Sequence, residues 1–469
     1  MGRRDPEVQM TAGSPFDVIV VGGGVVGCAI ARRFALEGAR VVLLEKAADL
    51  LDGASKGNSA ILHTGFDAPP GSLEAACIAE GYREYLEIHE RLGLPLIRSG
   101  ALVIAWTEEQ EAALPSLMAQ ARENGVDDVE ALSRAETLAL EPGLSPAVRA
   151  SFRVPREYLI DAWSAPLAYA LQAVAHGAEV RRGCEVTGGA FDGAVWRLST
   201  TAGEVAGRVV VNAAGLWGDV VDERLVGARD FTIRPRKGQF IVYDKPAARL
   251  AGHILLPVPT AVTKGVVVCR TAWGNLLVGP TAEEQEDRER AGLERGTLEA
   301  LKARGEEILP ALKGEEITAV YAGLRPATEF KDYQIKVHAG GSYVTVGGIR
   351  STGLSSALGV AAHVARLVGA RGWEAPAEVV WPRVPNISVA GPRDWEVPGH
   401  GGIICHCELV TRREVEVALS GPLAARSLAG LKRRTRVTMG RCQGFHCLGA
   451  LARMTEGWFD VAMAEAVDG

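Results

Sequence analysis

One stretch near the start of the chain limits the fold more than any other: FDVIVVGGGVVGCAIARRFALEGARVVLLEK, residues 16 to 46. An apolar run rich in β-branched residues (16–21) meets Gly22, Gly24 and Gly27, continues as a helical pattern, and reaches a second apolar run (40–46) containing Glu45. Strands this apolar are buried on both faces, and two of them joined through a helix run parallel. The glycines let the chain bend sharply and let a pyrophosphate approach the N–H groups at the positive end of the helix. Glu45 stands at the spacing, about 20 residues on, from which a carboxylate accepts hydrogen bonds from both ribose hydroxyls of an adenosine. Its charge opposes a 2′-phosphate, which favours FAD or NAD over NADP. A glycine turn can also serve packing alone; the full β-α-β context points to a dinucleotide and leaves FAD and NAD undecided.

With 469 residues the chain has room for several domains, and 47% apolar with 23% charged residues excludes disorder and fibre. The net charge of -6 argues against nucleic acid or anionic lipid as a partner and for a small molecule or a protein. The longest apolar run, Val18 to Ala31, is interrupted by Gly22, Gly23, Gly24 and Gly27 and falls short of the roughly 18–20 residues of a membrane span. Residues 1–15 read as a disordered tail. RVVVNAAG (208–215) and SYVTVGGI (342–349) each run into glycines and then a helical pattern, as central strands of a layered α/β sheet do. Residues 81–150 are mostly helical, whereas 231–320 alternate apolar and polar residues, as antiparallel strands with one wet face do. The expectation is an α/β protein with an α+β substrate part. A Rossmann-like dinucleotide domain (16–80, 151–230 and 321–373) would carry an inserted antiparallel-sheet substrate domain (81–150 and 231–320). A Pro-rich linker (374–400) would lead to a small helical domain (401–469).

Four cysteines, Cys28, Cys77, Cys184 and Cys269, are scattered, while Cys405, Cys407, Cys442 and Cys447 form a C-x-C pair and a C-x4-C pair. This distribution fits a reducing cytoplasm and a metal or cluster site better than a disulfide framework. Four thiolates in two close pairs hold zinc or a [2Fe-2S] cluster, and spacing alone does not decide between them. His406 and His446 each abut a cysteine, but neighbouring side chains usually point apart. The run LKRRTR (431–436) reads as a solvated face or a positive field near a negatively charged cluster.

SKGNSAILHTGFDAPPGSLEA (55–75), VVNAAGLWGD (210–219), GLRPAT (323–328) and GGIRSTGLSSALGVAAHVARLV (347–368) together resemble the D-amino-acid-oxidase-like, or glycerol-3-phosphate-dehydrogenase-like, flavoenzyme superfamily. Within it the match looks closest to the large subunit of anaerobic glycerol-3-phosphate dehydrogenases, with L-2-hydroxyglutarate oxidases close behind. The resemblance implies FAD, with Gly22, Gly24 and Gly27 at the pyrophosphate, Glu45 on the ribose, Asn58 and Ser59 beneath the flavin, and Ala214 and Gly215 on the adenine side. It also implies Lys46 and Val186 as cofactor contacts and brings Gly348, Ile349, Arg350, Gly353 and Leu354 towards the isoalloxazine. That turn joins a strand to a helix, so its N–H groups and dipole suit the anionic edge of a reduced flavin. Arg325, at the superfamily's substrate-anion position, would clamp a carboxylate or phosphate, with Arg350 a second cation. His63 would take the hydroxyl proton; a loop histidine bonded to backbone, or a covalent flavin tether, are the other readings. Residues 403–447, including Val410-Thr411 and the MGxCQG run, resemble the bacterioferritin-associated-ferredoxin-like [2Fe-2S] domain.

Together these imply a dehydrogenase of a small anionic secondary alcohol, glycerol 3-phosphate or a 2-hydroxy acid such as L-2-hydroxyglutarate. Electrons would leave through a [2Fe-2S] cluster to a partner subunit or a quinone, with any membrane contact made through that partner. Two alternatives stand beside it: an amino-acid or secondary-amine dehydrogenase of the proline, hydroxyproline or sarcosine type, and a non-catalytic electron-transfer subunit.

Overall fold

In the computed structural model, which describes residues 14–259, 265–389 and 391–463, the first strand is the centre of a parallel sheet. β1 (Phe16–Val21) lies between β2 (Val41–Glu45) and the strand Gly203–Asn212, parallel to both. Glu179–Arg182 extends the sheet beyond β2 and Tyr343–Gly347 extends it beyond Gly203–Asn212, again in parallel. Because side chains alternate across a strand, Val18, Val20, Val41, Leu43, Val209 and Val211 enter one buried layer, whereas Ile19, Val21, Val42, Leu44 and Val210 enter the other. The first layer is roofed by helix α1 (Val25–Leu36) and by helices Leu73–Leu92, Ser164–Ala175 and Gly353–Val368. Two of these helices nearly touch backbones: a Cβ on Gly81 would stand 2.4 Å from the Ser355 carbonyl oxygen, and one on Gly359 would stand 2.1 Å from that of Cys77. This close crossing fixes the start of helix Gly353–Val368 over the loop that carries His63. The expected tail lies outside the described residues apart from Ser14 and Pro15.

The second sheet has nine strands, antiparallel apart from the parallel pair Ile254–Pro257 and Ala101–Ala105. Its longest ladder joins Arg234–Tyr243 to Ile317–Ala327, with Gly238 opposite Gly323 and Arg236 opposite Arg325. This sheet takes in Ala150–Val154 and all of Ile317–Ala327, so the expected boundaries at 151 and 321 cut through its ladders. The expected boundary at 80 likewise falls inside one continuous helix, Leu73–Leu92, which packs on Gly353–Val368. Apolar periodicity marks an element but does not name its partner, which explains these shifts.

Residues 374–400 are not a free linker. Gln172 donates to the Val380 carbonyl (2.7 Å), and the amide N–H of Val384 donates to Leu92 O (3.1 Å) and that of Val389 to Ala272 O (2.8 Å), so the segment is a strap bonded to both larger domains. Its prolines hold the chain extended while these few groups tie it down. Beyond it, a hairpin (Ile403–Cys405 and Val410–Thr411) and helices Arg412–Ala418, Leu428–Thr435 and Leu448–Met454 enclose a core of Ile404, Val415, Leu431, Val437 and Leu451, joined by Trp273 from the second sheet.

The LKRRTR run is a docking seam and not a solvated face. Arg433 pairs with Asp52 (3.0 Å), Arg434 with Asp49 (3.2 Å), and Arg436 with the buried Glu408 (3.1 Å). Asp49 also pairs with Arg182 and accepts from Ser427 Oγ (2.6 Å) and the Arg426 amide (3.0 Å). Trp273 stacks on Trp163 at 4.7 Å, and the Arg436 guanidinium lies 4.3 Å from the Trp273 ring centre, which fills the seam between domains. Among the described residues no helix is long and apolar enough to cross a membrane.

Candidate cofactor and substrate sites

The three fingerprint glycines sit in three different surroundings. Gly22 has φ +105°, and a Cβ there would meet the Ala213 carbonyl oxygen at 2.5 Å; one on Gly27 would meet Gly22 O at 1.9 Å, where helix and strand close on each other. At Gly24 the nearest atom is Ser55 Oγ, which accepts from the amide of Val25 at 3.0 Å and thus caps the start of α1. Glu45 lies beneath this turn: its carboxylate accepts from the amides of Gly23 (2.7 Å) and Ala47 (2.8 Å). Burial raises its carboxyl above the ordinary range, and those two N–H groups oppose the rise. Ser55, thirty residues beyond the helix start it caps, was not singled out in the sequence.

The segment Ala214–Asp219, expected on the adenine side, is braced from the second sheet's part of the chain. Gly215 (φ +54°) opens a short turn to Trp217, whose ring faces Lys46 Nζ at 4.2 Å. Arg288 reaches across from the substrate part to the fully buried Asp219 (2.9 Å from Nη2) and to the Leu216 carbonyl (3.0 Å). Ala214 donates to Asn212 Oδ1 (3.1 Å). Val186 is buried among Leu44, Trp196 and Leu225, and its carbonyl accepts from Arg224 (2.8 Å).

Asn58 builds its own loop, accepting from Ala60 N (2.7 Å) and donating to Ser55 O (3.0 Å), while its carbonyl accepts from Tyr321 OH (2.9 Å). The carbonyl of Ser59 faces the thiol of Cys269 at 3.8 Å. Gly57 lies against Gly323 so closely that a Cβ on either would stand 2.8–2.9 Å from the other's backbone. The loop expected under the flavin therefore rests on the strand that carries Arg325, two residues further along.

Arg325 is half-buried; its guanidinium donates to the Thr281 carbonyl, and among the described residues no carboxylate lies within ion-pair distance of it. Burial, with Arg236 opposite, pushes it down to about 10. A partly buried cation without a counter-charge is a costly arrangement that an anionic ligand relieves. Arg350 is half-buried in the turn after Tyr343–Gly347, where Gly348 has φ +71° and Ile349 and Leu354 are also half-buried. Gly353 opens the following helix, and Ser355 Oγ in its first turn accepts from the His63 amide (2.8 Å). The His63 ring meets the buried Glu157.

In the C-terminal domain the four cysteines come together, Cys405 beside Cys447 and Cys407 beside Cys442. Each pair in space takes one residue from C-x-C and one from C-x4-C. The amides of His446, Gly444 and Phe445 are directed at the Cys442 sulfur and hold its thiol below the usual range, whereas burial pushes Cys447 up to about 11. Leu409, Arg436, Thr438 and Gln443 adopt positive φ in these loops, and the Thr438 hydroxyl is buried with no partner. Among the described residues no three His, Cys, Asp or Glu groups close on one ion. Four cysteines in two close pairs, with N–H donors directed at a sulfur, fit the donor set that a two-iron cluster would need. His406 and His446 are exposed, and His446 serves through its amide.

A glycine turn at the head of parallel strands, an arginine with no carboxylate partner among the described residues on an antiparallel sheet, and a four-thiol centre are the features of a dinucleotide-linked oxidoreductase with a metal-cluster domain. Residues 17–367 match the FAD dependent oxidoreductase family and residues 403–456 the BFD-like [2Fe-2S] binding domain; the chain belongs to that family of FAD enzymes and carries the [2Fe-2S] domain at its C-terminal end. The choices between FAD and NAD, and between cluster and zinc, are thereby made. The chain is 31% identical over 461 residues to the glycerol 3-phosphate dehydrogenase of Caloramator mitchellensis, covering 96% of each chain. It is 28% identical to one of the subunits of the anaerobic glycerol-3-phosphate dehydrogenase of Escherichia coli K12, over 96% of this chain and 90% of that one. The L-alpha-glycerophosphate oxidase of Mycoplasma pneumoniae, solved with FAD bound, superposes with a TM-score of 0.74 at 28% identity, covering 80% of this chain and 100% of that one.

Proposed function

We propose that the chain is an FAD-dependent dehydrogenase of glycerol 3-phosphate, the substrate named for the relatives with which it shares nearly its whole length. The observation that carries this reading is Arg325, a half-buried cation with no carboxylate within ion-pair distance among the described residues, beside the loop Gly57–Ser59. The FAD, when bound, accepts a hydride from the alcohol carbon, and the cluster passes electrons onward one at a time. Arg325 holds the phosphate by charge-assisted hydrogen bonds and so fixes which carbon faces the ring. His63 receives the hydroxyl proton as the hydride leaves, so the secondary alcohol becomes a ketone with its proton and its hydride both accounted for. Gly22, Gly24, Gly27, Glu45, Lys46, Asn58, Ser59, Val186, Ala214, Gly215 and the Gly348–Leu354 turn hold the FAD; Cys405, Cys407, Cys442 and Cys447 hold the cluster. The electron acceptor is a partner subunit or a quinone, met in the cytoplasm or at a membrane surface through that partner.

The test is anaerobic mixing of the holoprotein with candidate substrates while the visible flavin absorbance is followed. Glycerol 3-phosphate bleaches the flavin at low concentration, and proline, hydroxyproline and sarcosine do not. Bleaching by L-2-hydroxyglutarate in preference to glycerol 3-phosphate, or by the amines, overturns the substrate assignment.

A further inference from the structure

We infer that Glu157 is a positioning residue that sets which nitrogen of His63 carries the proton. The inference rests on the reading of His63 as the proton acceptor. Strands Ile61–Leu62 and Tyr158–Ile160 pair antiparallel with Leu62 opposite Tyr158, so the next residue at this end of each strand, His63 and Glu157, also stands opposite its partner. The Glu157 side chain is completely buried. Its Oε1 accepts from the Thr64 amide (2.6 Å) and the Thr64 hydroxyl (2.7 Å), which turns Oε2 to His63 Nδ1 at 2.8 Å.

An ionised carboxylate only accepts, so Nδ1 bears the proton and the lone pair is left on Nε2. Among the described residues, the nearby cations have other partners. Arg156 turns away to Asp128, at 2.8 Å to each oxygen, and Arg98 faces Tyr158. Tyr82 donates to the Arg156 carbonyl. From the helix above, Ser355 meets the His63 amide, while Thr352 and Tyr333 are occupied with each other and Thr352 donates to Glu74. Among the described residues no Lys or Arg lies within ion-pair distance of Glu157. A buried carboxylate of this kind gains its counter-charge when the imidazole takes up a second proton, so it favours the protonated product of the substrate-deprotonation step.

Glu157→Gln separates this role from packing. The two Thr64 donors select the amide oxygen, so the NH2 group faces Nδ1, Nδ1 becomes the acceptor and the proton moves to Nε2. The limiting rate of anaerobic flavin bleaching by glycerol 3-phosphate falls about 100-fold or more, with FAD content and substrate dissociation constant within about threefold of the unmodified protein, as expected when a proton-transfer step is lost without loss of binding. Nitrogen-15 histidine spectra show the proton on Nδ1 in the unmodified holoenzyme and on Nε2 in the variant, and Glu157→Asp restores part of the rate. A bleaching rate in Glu157→Gln equal to that of the unmodified protein, while His63→Gln is slow, overturns the inference but leaves His63 as base. An unimpaired His63→Gln overturns the base reading itself. If Glu157→Gln fails to fold, the spectrum of the unmodified holoenzyme decides alone: a proton on Nε2 contradicts the inference.

Discussion

At the scale of single residues, the chemistry depends on charges whose surroundings leave them one remaining demand. Arg325 is half-buried, with a carbonyl as its hydrogen-bond acceptor and no carboxylate within ion-pair distance among the described residues. Arg325→Ala removes a charge-assisted anion contact worth about 2–4 kcal/mol, and kcat/KM for glycerol 3-phosphate falls roughly 30- to 1000-fold while FAD content stays intact. Unchanged efficiency removes Arg325 from the site. The placement of Gly22, Gly24, Gly27 and Glu45 was legible in the sequence because it is fixed within one β-α-β unit. Ser55, Glu157 and Arg288 were not. Each meets its partner only through contacts 30 to 94 residues away in the chain, and a serine, glutamate or arginine in a loop has no local pattern to mark it.

At the scale of elements, the C-terminal loops show what spacing can and cannot say. C-x-C and C-x4-C were visible at once, but the crossed pairing, Cys405 with Cys447 and Cys407 with Cys442, follows from the fold of the loops around Thr438 and Gln443. If these four are the ligands, reconstituted protein holds about two iron and two labile sulfide per chain. Cys442→Ser loses or severely destabilises the cluster and slows transfer to an external acceptor, yet substrate still bleaches the flavin in a single turnover. Stoichiometric zinc without sulfide after anaerobic purification contradicts the ligand assignment. The basic run 431–436 was misread for an instructive reason. Its interdomain partners, Asp52 and Asp49, lie nearly 400 residues earlier in the chain, so the sequence displays only the positive half of a matched seam, while Arg436 pairs with Glu408 inside its own domain.

At the scale of the whole molecule, the cluster domain is bound to the segment between Glu45 and Ser55 that serves the dinucleotide turn. Asp49, 2% exposed, is the pin, with Arg182 and Arg434 paired to it and Ser427 and Arg426 donating to it. A Cβ on Gly430 would stand 2.0 Å from its carboxylate, so the helix reaches this close only with glycine there. Asp49→Ala leaves two largely buried guanidinium groups without their shared partner, a loss of about 3–5 kcal/mol. We expect residues beyond the strap to become sensitive to limited proteolysis at protease levels that leave the unmodified protein whole; equal resistance contradicts the pinning role. The parallel sheet and the order of domains were legible because apolar strands and glycine turns recur in a fixed order. The boundaries were not, since Ala150–Val154 and Ile317–Ala327 owe their membership of the second sheet to ladders with distant strands. The strap at 374–400 was also hidden, because a Pro-rich composition reports an extended backbone and says nothing of what it lies against.

The most direct test of the account is one rapid-mixing experiment on anaerobic holoprotein with glycerol 3-phosphate, reading flavin absorbance and the paramagnetic signal of the reduced cluster in the same samples. The account predicts that the flavin bleaches first and the cluster signal grows afterwards, and that Cys442→Ser shows the bleaching alone. Flavin and cluster both unchanged by the substrate, or a cluster signal that precedes any bleaching, would contradict it.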